Sequence, residues 1–343
     1  AILAQTVLPE AALVTPPGCP DLFNMFHSIG KAVPRHFVSR ASLHLHARTF
    51  SETSALARQA ADSLARVRSQ APLVQCITNY VSMDIMANVL IASGMSPAMV
   101  HGGKCGEAKE FANIASAVNI NLGTLSEDWA LGAKEAAQVC KDVGKPWILD
   151  PVGFLALTYR TGVITDLIHL GPSVLKGNAS EMVACANHAF PDLKDIPATT
   201  SKESVHAKGV DSAISTDSVN VKLLDEFAKK MGGVVCMTGK HDYVTDGTSR
   251  FWIRHDVPVL ADFTASGCSL GAVIAGYCAV LPEHGIASAT AQAVAYYTIA
   301  GEMAAEDPLY NRGPGSFRAG FLDMLRAVKV EDVAERARVT RVS

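Results

Sequence analysis

The amino-acid sequence predicts an α/β fold in which a mainly parallel central sheet carries helices on both faces. After residue 52, short apolar runs alternate with longer stretches that have helical periodicity. The apolar runs are continuous rather than alternating, which is typical of strands buried on both faces. Right-handed crossovers between parallel strands then bring the carboxyl ends of the strands to one edge of the sheet, where functional residues collect.

Five apolar runs are predicted as strands, and four stretches between them as helices. The chain has 343 residues, of which 49% are hydrophobic and 18% charged, so it can bury a large core. The predicted strands are Leu73–Ile77, 117–122, 147–149, 173–175 and Val234–Thr238, and the predicted helices are 106–116, 126–143, 161–170 and 219–231.

The first 50 residues have a different composition. Glu10 and Asp21 are their only acids, and the stretch from Lys31 to Arg48 holds bases, Ser and His without a carboxylate. This composition is typical of a disordered extension or of an organellar transit segment. We therefore expect residues 1–50 to be an N-terminal extension and residues 51–343 to form a single domain.

Charge and cysteine usage favour a small-molecule partner and an intracellular protein. The net charge is −3, and no basic run is long enough to attract nucleic acid or an anionic membrane. No apolar stretch approaches the roughly 20 residues needed to cross a bilayer. The eight cysteines form no C-x-x-C pair and no cluster with His at metal-ligand spacing, so they read as reduced thiols. We expect a cytoplasmic protein, or an organellar one if the extension is a transit segment.

A turn of small residues, 262–271, runs directly into an apolar helical stretch, 272–280. The first amide groups of a helix have no partner within it and carry partial positive charge, so a phosphate can bind there. Cys268 falls in the first turn, where the same field favours a thiolate. The alternative stays open at this point, because such turns often serve only close helix packing and a half-buried Cys is commonly a small hydrophobe.

Polar motifs follow three of the predicted strands: residues 150–153, 176–181 and 238–242. Asp150 and Glu181 are oxygen ligands suited to Mg²⁺, and Lys176 and Thr238 can donate to phosphate oxygens. Taken singly, the two acids are as well explained as helix caps or surface charges. Together with the turn before Cys268, the set matches the needs of phosphoryl transfer: a metal, donors and a positioned acceptor.

An ordered set of motifs in this sequence resembles the hydroxyethylthiazole kinases, which belong to the ribokinase-like superfamily. The resemblance runs from about residue 72 to residue 317, nearly everything after the extension. The motifs are Ile77-Thr78-Asn79-Tyr80-Val81, Ser96-Pro97-Ala98-Met99, Asn121-Leu122-Gly123-Thr124-Leu125, Leu149-Asp150-Pro151-Val152-Gly153, Lys176-Gly177-Asn178-Ala179-Ser180-Glu181, Lys208-Gly209-Val210-Asp211, Thr238-Gly239, Ser266-Gly267-Cys268 and Gly313-Pro314-Gly315-Ser316-Phe317.

The resemblance implies a ribokinase-like three-layer fold and an activity. The expected enzyme uses ATP and Mg²⁺ to phosphorylate the hydroxyl of 4-methyl-5-(2-hydroxyethyl)thiazole in thiamin biosynthesis and salvage. It is expected to be a homotrimer with sites between neighbouring subunits.

The resemblance also implies roles for individual residues. Cys268 is the expected catalytic residue beside the acceptor hydroxyl. The expected ligand contacts are Lys176, Thr238, Ser266 and Gly267 for ATP and its phosphates, Asn79, Val81, Met99, Gly123 and Ala265 for the substrate, and Asp150 and Glu181 for the metal.

Two departures from the family pattern keep other functions open. Ala265 stands where the family has Gly, which predicts strain if the backbone there has a positive φ. Residues 154–158 replace the small Ala-Gly-Ala-Thr-Pro of the family with Phe-Leu-Ala-Leu-Thr. The alternatives are a kinase for another small heterocyclic alcohol such as hydroxymethylpyrimidine, a weakly active regulatory paralogue and, least supported, a cysteine hydrolase.

Overall fold

A computed structural model describes residues 40–200 and 214–342. Within these ranges, side chains are described from residue 54 onward. The predicted extension, residues 1–50, lies outside these ranges apart from the start of the first helix. The motif at residues 208–211 also lies outside them.

Within these ranges, nine strands form one sheet in the order β2-β1-β3-β4-β5-β6-β7-β8-β9. Neighbouring strands from β2 to β6 pair in parallel, and β7, β8 and β9 add an antiparallel edge. The strands are β1 Leu73–Ile77, β2 Ser96–Ala98, β3 Ala117–Asn121, β4 Trp147–Asp150, β5 Val174–Asn178, β6 Val234–Thr238, β7 Asp242–Thr245, β8 Arg250–Ile253 and β9 Val339–Val342. The five predicted strands are confirmed as β1, β3, β4, β5 and β6.

Helices cover both faces of this sheet. The helices in the described ranges are α1 Arg40–Gln70, α2 Met83–Ala92, α3 Glu107–Ile114, α4 Glu127–Val143, α5 Thr158–Leu170, α6 Ala179–Ala189, α7 Val221–Met231, α8 Ser266–Val280, α9 Ile286–Glu306, α10 Pro314–Ala327 and α11 Val330–Arg336. One apolar core joins a sheet face to α3–α7, and the other joins the opposite face to α1, α2 and α8–α11. The predicted three-layer α/β fold is confirmed, with the four predicted helices present as α3, α4, α5 and α7.

The parallel strands at the centre of the sheet are mainly apolar because both of their faces are buried. Along β4, Trp147 and Leu149 pack in the core with α3–α7, whereas Ile148 between them packs in the core with α8. Alternate side chains of a strand point to opposite faces, so neither face can be polar here. The described cysteines are all free thiols, and none of the described helices is long and apolar enough to cross a membrane.

Helix α8 lies against β3 and β4 and is apolar on all sides because it is buried on all sides. Gly271 permits the close approach, since a Cβ atom there would lie 2.7 Å from Oδ1 of Asn119 on β3. This packing brings the first turn of α8 to the carboxyl edge of the parallel strands.

Candidate active site

Three polar side chains form a row across the carboxyl edge of the sheet. The register pairs Asn121 of β3 with Asp150 of β4, and Lys176 follows the paired Leu149 and Leu175 on β5. All three side chains point toward the face of the sheet that α8 covers. Residues two positions apart on a strand share a face, and the residues two positions before Asn121, Asp150 and Lys176 face α8. They are only 1%, 2% and 4% exposed, so their charges and hydrogen bonds act where water screens them little.

Lys176 connects this row to the start of α8. Its Nζ atom lies 3.2 Å from Oδ2 of Asp150 and 2.9 Å from the carbonyl oxygen of Gly267. Burial alone would lower the pKa of the Lys176 ammonium, but its acidic neighbours, Asp150 foremost, outweigh burial and hold the pKa above its usual range. A permanent cation therefore stands between the sheet edge and the predicted phosphate-binding turn.

The first turn of α8 presents free backbone donors. The amide of Ser269 donates to the carbonyl oxygen of Ala265 at 3.0 Å, while those of Ser266, Gly267 and Cys268 donate to no other described residue. Gly267 is exposed, so the turn is open to solvent. Tyr297 supports it from below by donating its hydroxyl to the carbonyl of Ser266 at 2.7 Å. The predicted anion-binding geometry is present.

Ala265 has left-handed backbone geometry, with φ 66° and ψ 10°. The positive φ that the sequence comparison with the family suggested is thus present, and the residue forms the N-cap of α8. The left-handed region strains the backbone of a residue that has a Cβ atom, whereas glycine adopts it without strain.

Cys268 is half-buried, and its thiol is not the thiolate that the helix position predicts. Burial first, and then the charge of Asp150, raise the pKa of this thiol to about 11 against the opposing effects of Lys176 and the side chain of Asn121. The expectation of a lowered pKa is therefore wrong. The helix terminus favours the thiolate, but burial of the sulfur beside a carboxylate cannot be predicted from the residues around Cys268.

Glu181 lies beside Asp150 and forms a capping box at the start of α6. Its Oε2 accepts from the amide of Asn178 at 2.9 Å, and its Oε1 accepts from the amide of Gly153 at 3.3 Å. Burial, followed by the charge of Asp150, raises the pKa of Glu181 to about 7. The helix-cap interpretation of Glu181 is therefore confirmed, and Glu181 is also one of two carboxylates that repel each other, while its role as a metal ligand stays a prediction.

These two carboxylates suit a cation. Mg²⁺ commonly takes one or two protein carboxylates and completes its shell with water and phosphate oxygens. A positive ion between Asp150 and Glu181 would relieve the repulsion recorded in the pKa of Glu181. Among the described residues there is no group of three or more His, Cys, Asp or Glu that would hold a metal by itself.

Thr238 ends β6 next to β5, where the register pairs it with Asn178. Its hydroxyl donates to the carbonyl of Gly177 at 3.2 Å, and the residue is half-buried, as a phosphate donor at this edge should be. Asp242 lies nearby and was not singled out from the sequence. It is 4% exposed and accepts from the amide of Gly239 at 3.0 Å.

The predicted substrate residues are partly brought together. A Cβ atom at Gly123 would lie 2.7 Å from the side chain of Asn79, so these two positions touch. Val81 donates its amide to Oδ1 of Asn79 at 3.0 Å and leaves its own side chain 56% exposed. Met99 follows β2 and is half-buried against the core on the α8 side, which agrees with core filling as well as with a pocket role.

Two residues that sequence reasoning did not assign also belong to this edge. Arg160 donates to the carbonyl oxygens of Gly123 and Val152, and so ties the loop after β3 to the loop after β4. Asn121 lies between Asn79 and Asp150. Its place inside the motif at residues 121–125 was the available signal, but only the strand register shows that it faces Asp150.

Comparison with known proteins gives consistent results. The model of the hydroxyethylthiazole kinase family matches residues 64–331. A hydroxyethylthiazole kinase of Rhizobium etli is 42% identical over 274 residues, covering 80% of this chain and 98% of that protein. One of Cereibacter sphaeroides is 40% identical over 273 residues, covering 80% and 95%.

Solved structures agree with the sequence matches. The hydroxyethylthiazole kinase protein of Pyrococcus horikoshii superposes with a TM-score of 0.69 at 32% identity, over 83% of this chain and 99% of that one. A pyridoxal kinase of Staphylococcus aureus in complex with pyridoxal has a TM-score of 0.50 at 12% identity, over 79% and 98%, which shows the fold alone. Since the family model covers most of the chain and the matched relatives are covered almost completely, the chain belongs to the hydroxyethylthiazole kinase family.

Proposed function

We propose that this protein transfers the terminal phosphoryl group of ATP to the hydroxyl of 4-methyl-5-(2-hydroxyethyl)thiazole. One observation carries the proposal: the Lys176 ammonium reaches both Asp150 and the carbonyl of Gly267. That contact joins an acidic sheet edge to a turn with free amides, and family membership supplies the acceptor.

The phosphate end of ATP is expected over the first turn of α8. The free amides of Ser266, Gly267 and Cys268 can donate to the transferred phosphoryl group, and the positive end of the helix dipole adds to their effect. Lys176 and Thr238 lie on the neighbouring strands β5 and β6 and supply further donors. Phosphoryl transfer requires mainly this kind of positioning and charge stabilisation.

Asp150 and Glu181 fit Mg²⁺, which when bound would neutralise charge on the phosphates. The fit rests on two buried, mutually repelling carboxylates whose oxygens retain unused acceptor positions. Lys176 holds Oδ2 of Asp150 in place, and the amides of Asn178 and Gly153 hold Glu181. Both carboxylates are therefore oriented before a cation arrives.

Cys268 is expected to orient the acceptor hydroxyl rather than to act as a thiolate base. With its pKa raised by burial to about 11, the thiol keeps its proton at neutral pH. A loose transition state places little demand on a base, so an oriented hydroxyl suffices. Asp150 is the charged group that acts most strongly on the pKa of the thiol, and it is the group expected to receive the hydroxyl proton.

A homotrimer with shared sites is part of the proposal. Two loops beside the candidate pocket expose apolar side chains: Tyr80 and Val81 after β1, and Leu155, Leu157 and Tyr159 around the start of α5, each at least half exposed. Apolar patches next to a pocket are typical of surfaces covered by a partner. Light scattering should give three times the 36.2 kDa chain mass, and a monomer would contradict this part of the proposal.

The test is a coupled assay of ADP formation with ATP, Mg²⁺ and the thiazole alcohol. We expect turnover that requires both the alcohol and the cation. The matched control is 5-ethyl-4-methylthiazole, which lacks the hydroxyl and should give no ADP above background. Absence of turnover with any alcohol would contradict the kinase proposal and favour a regulatory paralogue.

A second candidate is a kinase for another heterocyclic alcohol, such as hydroxymethylpyrimidine. The loop after β4 favours it, because Phe154 is buried there and Leu155 has φ 67° with its side chain exposed. Higher kcat/KM for the pyrimidine alcohol in the same assay would replace the first candidate. A cysteine hydrolase is not supported, because a thiol with a raised pKa is a poor nucleophile and no His is among the groups that shift its pKa.

A further inference from the structure

A buried amide nitrogen at the candidate site has no hydrogen-bond partner. Asn121 is 1% exposed at the end of β3, and its Nδ2 donates to no group in the parts of the chain that the structure describes. Buried donors without acceptors are rare because they cost free energy. An acceptor on a ligand is one way in which such a donor becomes satisfied.

The orientation of this amide is fixed by its neighbours. Oδ1 of Asn79 accepts from the backbone amides of Val81 at 3.0 Å and Ser82 at 3.1 Å, so the Nδ2 of Asn79 must point the other way. That Nδ2 donates to Oδ1 of Asn121 at 2.7 Å. Since this contact requires an oxygen on Asn121, exchanging its oxygen and nitrogen would break it. The nitrogen of Asn121 is therefore the atom that faces away from Asn79.

The unpartnered nitrogen lies among the groups that surround the expected acceptor hydroxyl. Strand register places Asn121 beside Asp150. Burial raises the pKa of both the Asp150 carboxyl and the Cys268 thiol, and a hydrogen-bonding contact with the side chain of Asn121 opposes each rise. Neither contact has the distance and angle of a complete hydrogen bond from Nδ2. It is a donor held close to the reaction centre with its bonding capacity unused.

We propose that Nδ2 of Asn121 donates a hydrogen bond to the oxygen of the acceptor alcohol and thereby selects ligands that carry an oxygen there. The inference rests on the proposed function. The hydroxyl oxygen has two lone pairs and one proton: one lone pair faces phosphorus, the other accepts from Asn121, and the proton is left for Asp150.

A merely structural Asn121 would behave differently. Its Oδ1 holds Asn79, and loss of that contact would loosen the loop after β1 for every ligand alike. A hydrogen bond to the hydroxyl would be lost only by ligands that have the hydroxyl. A site built around a hydroxyl discriminates strongly against the analogue that lacks it, because the buried donor is then left unpaired.

The experiment combines two protein variants with two ligands. Dissociation constants are measured by calorimetry for the thiazole alcohol and for 5-ethyl-4-methylthiazole, with wild type, N121A and the control N88A. Asn88 is exposed on α2, and its side chain bonds only to Asp84 of the same helix. We expect wild type and N88A to prefer the alcohol by about tenfold or more. N121A should lose most of that preference, in addition to any weakening that both ligands share because the contact with Asn79 is lost.

One result would overturn the inference while the proposed function stands: N121A keeps the full preference for the alcohol, whether or not it weakens both ligands by an equal factor. Failure of wild type to bind the alcohol or turn it over would overturn the proposed function and this inference with it. If N121A does not fold, N121S is measured in the same way, since its side chain is polar but too short to reach the acceptor oxygen.

Discussion

The strained alanine at the start of α8 gives a quantitative prediction. Ala265 has φ 66°, and a residue with a Cβ atom in this region costs roughly 1–2 kcal/mol. In A265G that cost disappears, but the more flexible glycine loses roughly 0.4–1 kcal/mol through the unfolded state. The two effects oppose each other, so we expect the free energy of unfolding in urea to rise by about 0.5–1 kcal/mol.

The same substitution should also raise turnover. Ala265 immediately precedes the amides of Ser266, Gly267 and Cys268, and its methyl group stands where the family has none. If relief of the strain is felt in the transition state, about 1 kcal/mol corresponds to roughly a fivefold gain in kcat. Initial rates of ADP formation at saturating ATP and thiazole alcohol measure this gain.

A71G is the matched control. Ala71 has φ 44° and follows α1, away from the candidate site, with its amide bonded to the carbonyl of Val67 at 2.9 Å. It should gain stability as A265G does but leave kcat unchanged. A lower kcat in A265G would contradict the expected gain in turnover and would show that the loop has adapted to alanine. A more stable A71G beside an unchanged A265G would show that Ala265 is not strained.

Three further variants test the charges of the site. C268A should keep the circular dichroism spectrum of wild type and lose about tenfold in kcat, since α8 needs no side chain there while the acceptor hydroxyl does; unchanged kcat would make the thiol a bystander. K176M should lose about 3–5 kcal/mol of the free energy of unfolding in urea at pH 8, because Asp150 then stays buried without its cation. The double variant K176M/D150N should recover this loss. Equal stability of K176M and wild type would contradict the pairing. Burial raises the pKa of Asp242 to about 7, so the folded state holds a proton that the unfolded state releases, and stability present near pH 4 is lost as pH rises to about 7. D242N should remove roughly 4 kcal/mol of that pH-dependent loss, and identical pH profiles would show that Asp242 titrates normally.

Much of the fold follows from the sequence because strands buried on both faces are mainly apolar rather than alternating. The strands missed were those without this signal. β2 has three residues and contains Pro97, and β9 includes exposed Arg341 and Val342. β7 and β8 are four residues each and begin with Asp242 and Arg250, so they resemble turn segments in isolation.

The parts of the site that depend on where strands end could be predicted from the sequence. The parts that depend on helix packing and on burial could not. Asp150 and Lys176 meet because β4 and β5 end at the same edge, which the alternation of elements already predicts. The contact of Lys176 with Gly267 joins residues 91 positions apart and depends on how α8 packs. The pKa of Cys268 depends on burial beside Asp150, and no motif encodes burial.

Three departures from local rules occur at the candidate site. Ala71 also has a positive φ, but it follows the last turn of α1, where left-handed geometry commonly ends a helix. Ala265 begins a helix, a position for which that explanation fails. The same site holds a buried donor without an acceptor on Asn121 and a carboxyl with a raised pKa on Glu181. Strain, an unused donor and repelling acids each cost stability in the protein alone. A phosphate would bind the free amides of the turn, an alcohol oxygen would accept from Asn121, and a cation would neutralise the two acids. One complex with both substrates and the cation therefore accounts for these features together.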